Sequence, residues 1–189
     1  MKNKMFITLV VTLFAGVFLF SFTTAPTGIS GDFKYIGVTK CVGACHKTES
    51  QGSQLDIWKA SKHANAYKVL ETEAANSIAK EKGFNTPAVD VPECIKCHVL
   101  GKELDPALLT ETFDKTEGVQ CESCHGPGSE YKSMSIMKDK QKAIENGLII
   151  PDNKEEFCTG CHNDKSPTFK GFEFEKYWEQ IKHNKPSSK

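Results

Sequence analysis

The chain contains no arginine, and all 24 of its basic residues are lysine. Because the planar guanidinium is the side chain best suited to bidentate recognition of phosphate, its absence argues against a nucleic-acid partner. Strand-like alternation of any length is also missing, and the residues outside the loops favour helix. The sequence therefore predicts a mainly α fold without a role in nucleic-acid recognition.

Charge is nearly absent from the first 25 residues, which have the layout of an export signal. Lys2 and Lys4 precede an uncharged apolar run at residues 5–20, and residues 21–25 are small and polar. The run is close to the lower limit of a membrane-spanning helix, about 17–25 residues, so an uncleaved anchor is the alternative. No cysteine lies near residue 25 to carry a lipid. We expect a periplasmic protein, soluble after cleavage or anchored to the inner membrane.

No cysteine is left over once the cysteine motifs are assigned. Three segments have the form C-x-x-C-H, and a fourth, looser copy has three residues between its cysteines. C-x-x-C-H is the attachment site of a c-type haem, in which the thiols form thioethers and the histidine is an axial ligand. The motifs use all eight cysteines: Cys41 and Cys45 before His46, Cys94 and Cys97 before His98, Cys121 and Cys124 before His125, and Cys158 and Cys161 before His162.

Zinc binding and disulfide bonding are the alternatives for these cysteines. A zinc ribbon leaves the histidine after every second cysteine unexplained. Disulfides between thiols three residues apart are usually reactive rather than structural. An exported chain meets an oxidising compartment, so free thiols are not expected either. Four covalently attached haems c are therefore predicted, the one at Cys41 and Cys45 being the departure from the usual spacing.

Four irons need second axial ligands, and two histidines lie outside the motifs. His63 and His183 are in predicted helices among aromatic residues, and we expect both to be distal ligands. Two irons then lack a histidine. Met137 is a tentative ligand and Met134 a weaker one, because a thioether is a known axial donor, although Met more often packs in a core. An open iron or a neutral lysine is the remaining alternative.

Short helices and long loops wrapped around the haems form the predicted architecture. Residues 26–34 are expected to be a linker, and residues 35–185 a single tetrahaem domain. A helical stretch is predicted over residues 53–82, with a break near Thr72, and another over residues 129–146, ended by Gly147. Asp152 or Asn153 is expected to cap a short helix with the fourth motif, and residues 172–183 to form the last helix.

Several segments resemble the cytochrome c-554 family of multihaem c-type cytochromes. They are Y-I-G-V at residues 35–38, W-K-A-S-K-H-A at 58–64 and C-E-S-C-H-G-P-G-S at 121–129. The resemblance covers about residues 35–183. It implies a helical fold around closely packed haems, periplasmic electron transfer, in the type member downstream of hydroxylamine oxidation, and a distal ligand at His63. Tyr131 stands where some members carry a histidine, so that family ligand is missing.

The leading hypothesis is an electron carrier that passes electrons between redox partners through its haems, with no catalytic residues. Protein donors and acceptors are the expected partners, a membrane quinol-linked cytochrome among them. The alternative is a haem enzyme that reduces a nitrogen oxide, such as nitric oxide, at an iron with an open position. A zinc protein is the third hypothesis.

Overall fold

The computed structural model describes residues 33–185, in which short α-helices alternate with turns and 3-10 segments. No strand occurs in this range, where an isolated parallel bridge joins Tyr35 to Leu109. The expected mainly α fold is therefore confirmed for the described residues. The predicted export segment and most of the predicted linker, residues 26–34, lie outside them. Within residues 33–185, no helix has both the length and the apolar character that a membrane crossing needs.

The helices have four to nine residues each, too short to be stable alone, so their stability depends on packing. In chain order they are α1 Val38–Cys41, α2 Gln54–Ala60, α3 Ala66–Leu70, α4 Glu73–Glu81, α5 Pro92–His98, α6 Cys121–His125, α7 Met134–Met137, α8 Lys140–Glu145, α9 Lys154–Thr159 and α10 Phe174–Ile181.

The helical stretch predicted over residues 53–82 is interrupted twice. The break near Thr72 is confirmed, since Thr72 Oγ1 accepts from Ala75 N (3.2 Å) and caps α4. An unpredicted break follows α2, where Ser61 Oγ donates to Trp58 O (2.7 Å) and residues 63–65 form a 3-10 turn. His63 therefore lies in a turn, and its predicted placement within a helix is wrong.

The single helix predicted over residues 129–146 is also wrong, because this stretch forms α7 and α8. Asp139 separates them, and its carboxylate accepts from Lys142 N (3.2 Å) at the start of α8. The predicted stop at Gly147 is present, with φ +102°. Asn153 caps α9 as expected, accepting from Glu156 N (3.1 Å). The last helix is shorter than predicted, and His183 follows its final residue, Ile181.

The segment before α1, residues 34–37, is largely buried, with Tyr35 and Ile36 each at most 2 % exposed. Tyr35 is buried and pairs with the 108–110 loop, donating to Leu108 O (2.8 Å) and accepting from Thr110 N (3.0 Å). Two apolar clusters lie alongside: Tyr35, Tyr67, Val99 and Leu100 form one, and Leu70, Ala79, Ala88 and Val91 form the other. The second and third cysteine motifs attach to this core through α5 and α6.

Candidate haem-binding centre

Helical geometry prepares the second and third motifs for a planar group. α5 contains Cys94, Cys97 and His98, and α6 runs from Cys121 to His125. Residues three and four apart lie on one helix face, so the two thiols and the imidazole of each motif project together. In the fourth motif α9 contains Cys158, and His162 follows in a turn where its N–H donates to Cys158 O (3.0 Å).

The first motif departs from this geometry as its longer spacing predicts. Cys41 is the last residue of α1, and Cys45 and His46 lie in the turns that follow. His46 N donates to Val42 O (3.3 Å), which keeps the histidine close to the helix end. The extra residue is therefore accommodated by a turn rather than by a helix.

Thiols from different motifs are brought together, which the sequence could not show. The Cys41 thiol is hydrogen-bonded to Cys121, an interaction that raises the pKa of Cys41 and lowers the pKa of Cys121. Burial, with neighbouring Cys158 contributing next, raises the pKa of Cys124 to about 11. Burial and then neighbouring Cys97 raise the pKa of Cys161 to about 12. Thiols of the first and third, the third and fourth, and the fourth and second motifs are therefore close enough to change one another's pKa.

The two non-motif histidines each face a motif histidine. The imidazole centroids of His63 and His162 are 6.0 Å apart with 44° between the ring planes. Those of His125 and His183 are 5.8 Å apart with 67° between the planes. Two imidazoles on one metal, with metal–nitrogen bonds of about 2 Å, place their centroids about 6 Å apart. Both pairs therefore fit an iron held between two histidines.

Three imidazoles, of which His63 and His125 are half-buried and His162 is exposed, favour the protonation state that a metal ligand requires. Burial lowers the pKa of His63, His125 and His162, which favours the neutral ring with a free nitrogen lone pair. His183 Nδ1 is 2.8 Å from Ile181 O, and a carbonyl accepts only from N–H, so Nε2 is the unprotonated nitrogen. Histidines that bind a metal typically donate their other ring N–H to a carbonyl oxygen in this way.

His98 is oriented in the same way as His183. Its Nδ1 lies 2.7 Å from Ala66 O, at the start of α3, which leaves Nε2 as the nitrogen available to a metal. Within residues 33–185, neither His46 nor His98 stacks or pairs with another histidine ring. Two of the four motif histidines, His125 and His162, are therefore each paired with a different histidine from outside the motifs.

A clamp of backbone hydrogen bonds fixes the position of His63. Val119 N donates to His63 O (2.9 Å), and Trp58 Nε1 donates to Val119 O (2.8 Å). Gly118 makes the approach possible, because a Cβ at its φ of +75° would stand 2.5 Å from His63 O. The W-x-x-S-x-H segment is thus tied to the residues that directly precede the third motif.

The partners in each pair are supported by neighbouring aromatic and backbone contacts. Phe172 stacks on the His162 ring at 4.7 Å and 13°, and Tyr177 stacks on Phe172 at 5.4 Å and 9°. At the other pair, the Asn184 backbone beside His183 packs on Gly52, where a Cβ would be 2.5 Å from Asn184 O. The C-terminal segment therefore contacts one member of each pair: Phe172 packs on His162, and the backbone beside His183 packs on Gly52.

The two methionines lie on α7 and are largely accessible. Met134 is 62 % exposed and Met137 is 36 % exposed. The contacts described for α7 do not join either thioether to a motif histidine, and ligation by Met137 stays a prediction.

Tyr131 is buried, and its hydroxyl donates to His125 O (3.1 Å) and Gly126 O (3.0 Å). At the place of the missing family histidine, the phenol holds the backbone that follows the third motif.

Sequence reasoning missed Glu122, the most buried carboxyl group in the described fold. Its side chain is 2 % exposed and accepts hydrogen bonds from the backbone N–H groups of Ile36, Gly37 and Gly128. An acidic residue between two motif cysteines has the sequence pattern of a solvated position. The glycines of the 126–128 segment were the only local sign of a close backbone approach.

Comparison with known proteins agrees with this geometry. The sequence model of the family "Cytochrome c554 and c-prime" matches residues 40–126. Cytochrome c-554 of Nitrosomonas europaea is 30% identical over 168 residues, which are 81% of this chain and 68% of the relative. No solved structure matches the chain.

The motifs, the paired imidazoles and these matches define a c-type cytochrome, an electron-transfer protein with covalently bound haem c. The chain belongs to the cytochrome c-554 family. The expected resemblance is therefore confirmed, and the family is one that binds haem c rather than zinc.

Proposed function

We propose that this cytochrome is a periplasmic tetrahaem electron carrier that transfers electrons between protein redox partners. Each motif supplies two thiols and a histidine, and all eight described cysteines are free of disulfides. The export-type N-terminus and the compartment in which exported thiols are oxidised support the periplasmic location. Bound haem supplies one-electron redox chemistry, and the chain provides ligands, spacing and burial.

The observation that carries the proposal is the pair of imidazole distances. His63 with His162 and His125 with His183 have the spacing of two axial ligands on one iron. An iron closed on both sides by protein imidazoles has no position for a substrate, so it serves electron transfer. We therefore assign His63 to the fourth motif and His183 to the third.

The contacts between motif cysteines support a path that does not follow chain order. Cys41 adjoins Cys121, Cys124 adjoins Cys158, and Cys161 adjoins Cys97. We propose that the first and second motifs are the two ends of this path, at which partner proteins donate and accept electrons. A membrane quinol-linked cytochrome is one partner class consistent with an exported carrier.

Nitrogen-oxide reduction is the second candidate function, and one observation favours it. His46 and His98 are not paired with another histidine ring within residues 33–185. Met137 remains a proposed ligand for one of these irons, and an open position at the other would bind a small molecule such as nitric oxide. Redox proteins would then be the electron donors for that reaction.

The test uses the full chain matured in a host that attaches c-type haem. Intact mass and a pyridine haemochrome spectrum should each give four haems per chain. Fewer than four would contradict the tetrahaem proposal. Rapid nitric oxide binding, followed by its consumption under reducing conditions, would favour the enzyme over the carrier.

A further inference from the structure

Glu122 is a buried carboxyl group that the proposed function leaves without a role. It lies in α6 between the two cysteines of the third motif, and 2 % of its residue surface is exposed. His125 follows three residues later, about 4.5 Å along the helix axis. No lysine forms an ion pair with Glu122 among the described residues.

Backbone donors surround both carboxyl oxygens. Oε1 accepts from Ile36 N (2.9 Å) and Gly128 N (2.7 Å), and Oε2 accepts from Ile36 N (3.0 Å) and Gly37 N (2.7 Å). A protonated carboxyl would need an acceptor for its O–H, and each of these partners is a donor. The hydrogen bonds therefore fit the carboxylate, which carries a full negative charge.

Other groups near Glu122 give it no positive charge. Burial raises the pKa of Glu122 above its usual range, and the N–H groups of Ile36, Gly128 and Gly37 offset only part of that rise. Glu117 is a neighbour of Glu122 and accepts from Val38 N (3.2 Å). Its carboxyl group adds negative charge near Glu122. Tyr131 is a further titratable side chain near Glu122, whereas Cys41 and Cys121 would be uncharged thioethers in the protein that carries haem.

From this geometry we infer that Glu122 is a fixed buried anion that lowers the reduction potential of the third-motif centre. The inference rests on the proposed function, which places an iron between His125 and His183. Reduction adds one electron to that centre and makes no bond, so a nearby negative charge disfavours the reduced state. At an effective dielectric constant of about 20, a unit charge about 10 Å away changes the oxidised-to-reduced ratio by about tenfold, equivalent to about 59 mV for one electron.

The test compares three variants of the matured full-length protein in spectroelectrochemical titrations at pH 7. Glu122→Gln should raise the reduction potential of one component of the titration. At a given applied potential, the oxidised-to-reduced ratio of that component should change by about tenfold. Glu122→Asp keeps the charge and should stay close to wild type. Glu117→Gln, which removes a less buried carboxylate from the same segment, should have a smaller effect.

Two titration results would overturn the inference. One is a Glu122→Gln curve that superimposes on wild type, and the other is an equal shift in Glu122→Gln and Glu122→Asp, which would indicate a structural effect. If Glu122→Gln does not mature, the infrared spectrum of oxidised Glu117→Gln protein decides the question. A protonated buried carboxyl band at pH 7 would overturn the inference, and its absence would support it.

Failure of the proposed function gives a different result from failure of this inference. Wild-type protein without four haems, or without a low-spin centre, would contradict the proposed function before any variant is titrated. A normal haem count with no effect of Glu122→Gln would contradict the role of Glu122 alone.

Discussion

Replacing Trp58 by phenylalanine tests how firmly His63 is held. The substitution removes the hydrogen bond from Trp58 Nε1 to Val119 O (2.8 Å), and Val119 in turn donates to His63 O (2.9 Å). Both Trp58 and Val119 are half-buried, so the loss costs about 1–2 kcal/mol, the lower part of the range for an unsatisfied buried group. That cost raises the population in which the clamp is open by about 5–30-fold.

Carbon monoxide binding to the reduced protein measures this opening. Under the proposed assignment of His63 to the fourth motif, the gas would reach that iron only when His63 has moved away, so the binding rate would follow the open population. We expect the slow binding phase of Trp58→Phe to be about 5–30-fold faster than that of wild type, because the rate scales with that population. In His63→Ala, the carbon monoxide that wild type binds in the slow phase should bind rapidly. This change identifies the iron that gives the slow phase.

Trp178→Phe is the matched control for this experiment. Trp178 stacks on Phe174 (5.9 Å) in α10, and its indole is not part of the His63 clamp. Trp178→Phe should leave the slow phase of carbon monoxide binding unchanged. A Trp58→Phe rate equal to wild type, with a fast phase still present in His63→Ala, would refute the clamp.

Three further predictions concern other contacts of the site. His183→Ala should convert the third-motif iron to high spin by electron paramagnetic resonance while the His63–His162 pair stays low-spin, and a wild-type spectrum would contradict the pairing. Tyr131→Phe removes the hydroxyl that donates to His125 O and Gly126 O, and should lower the free energy of unfolding in guanidinium by about 1–2 kcal/mol without changing the haem count. Burial raises the pKa of Glu117, so its stabilising contribution is full below about pH 4 and is lost as the pH rises through the raised pKa. Glu117→Gln should therefore be more stable than wild type at pH 7 and equal to it below about pH 4, and a gap that widens in acid would be the opposite result.

Local features of the site were predictable from sequence because they depend on spacing within one turn. The C-x-x-C-H motifs at α5 and α6, the cap at Asn153 and the stop at Gly147 follow from helix geometry and capping chemistry. The break near Thr72 follows from the same chemistry, since its hydroxyl accepts from Ala75 N.

Long-range features were not predictable, because composition and periodicity carry no information about them. The pairing of His63 with His162 and of His183 with His125 depends on contacts between distant segments. At the break after α2, the 3-10 turn at residues 63–65 contacts a distant segment, where Val119 N donates to His63 O (2.9 Å). The burial of Glu122 depends on the arrival of residues 36–37, which supply its donors.

The most direct test of the account is the low-temperature electron paramagnetic resonance spectrum of the oxidised, fully matured protein, integrated against its haem content. The account predicts at least two low-spin irons with two imidazole ligands per chain, one lost in His63→Ala and the other in His183→Ala. A wild-type spectrum with no bis-imidazole iron, or one that neither substitution alters, would contradict the paired histidines.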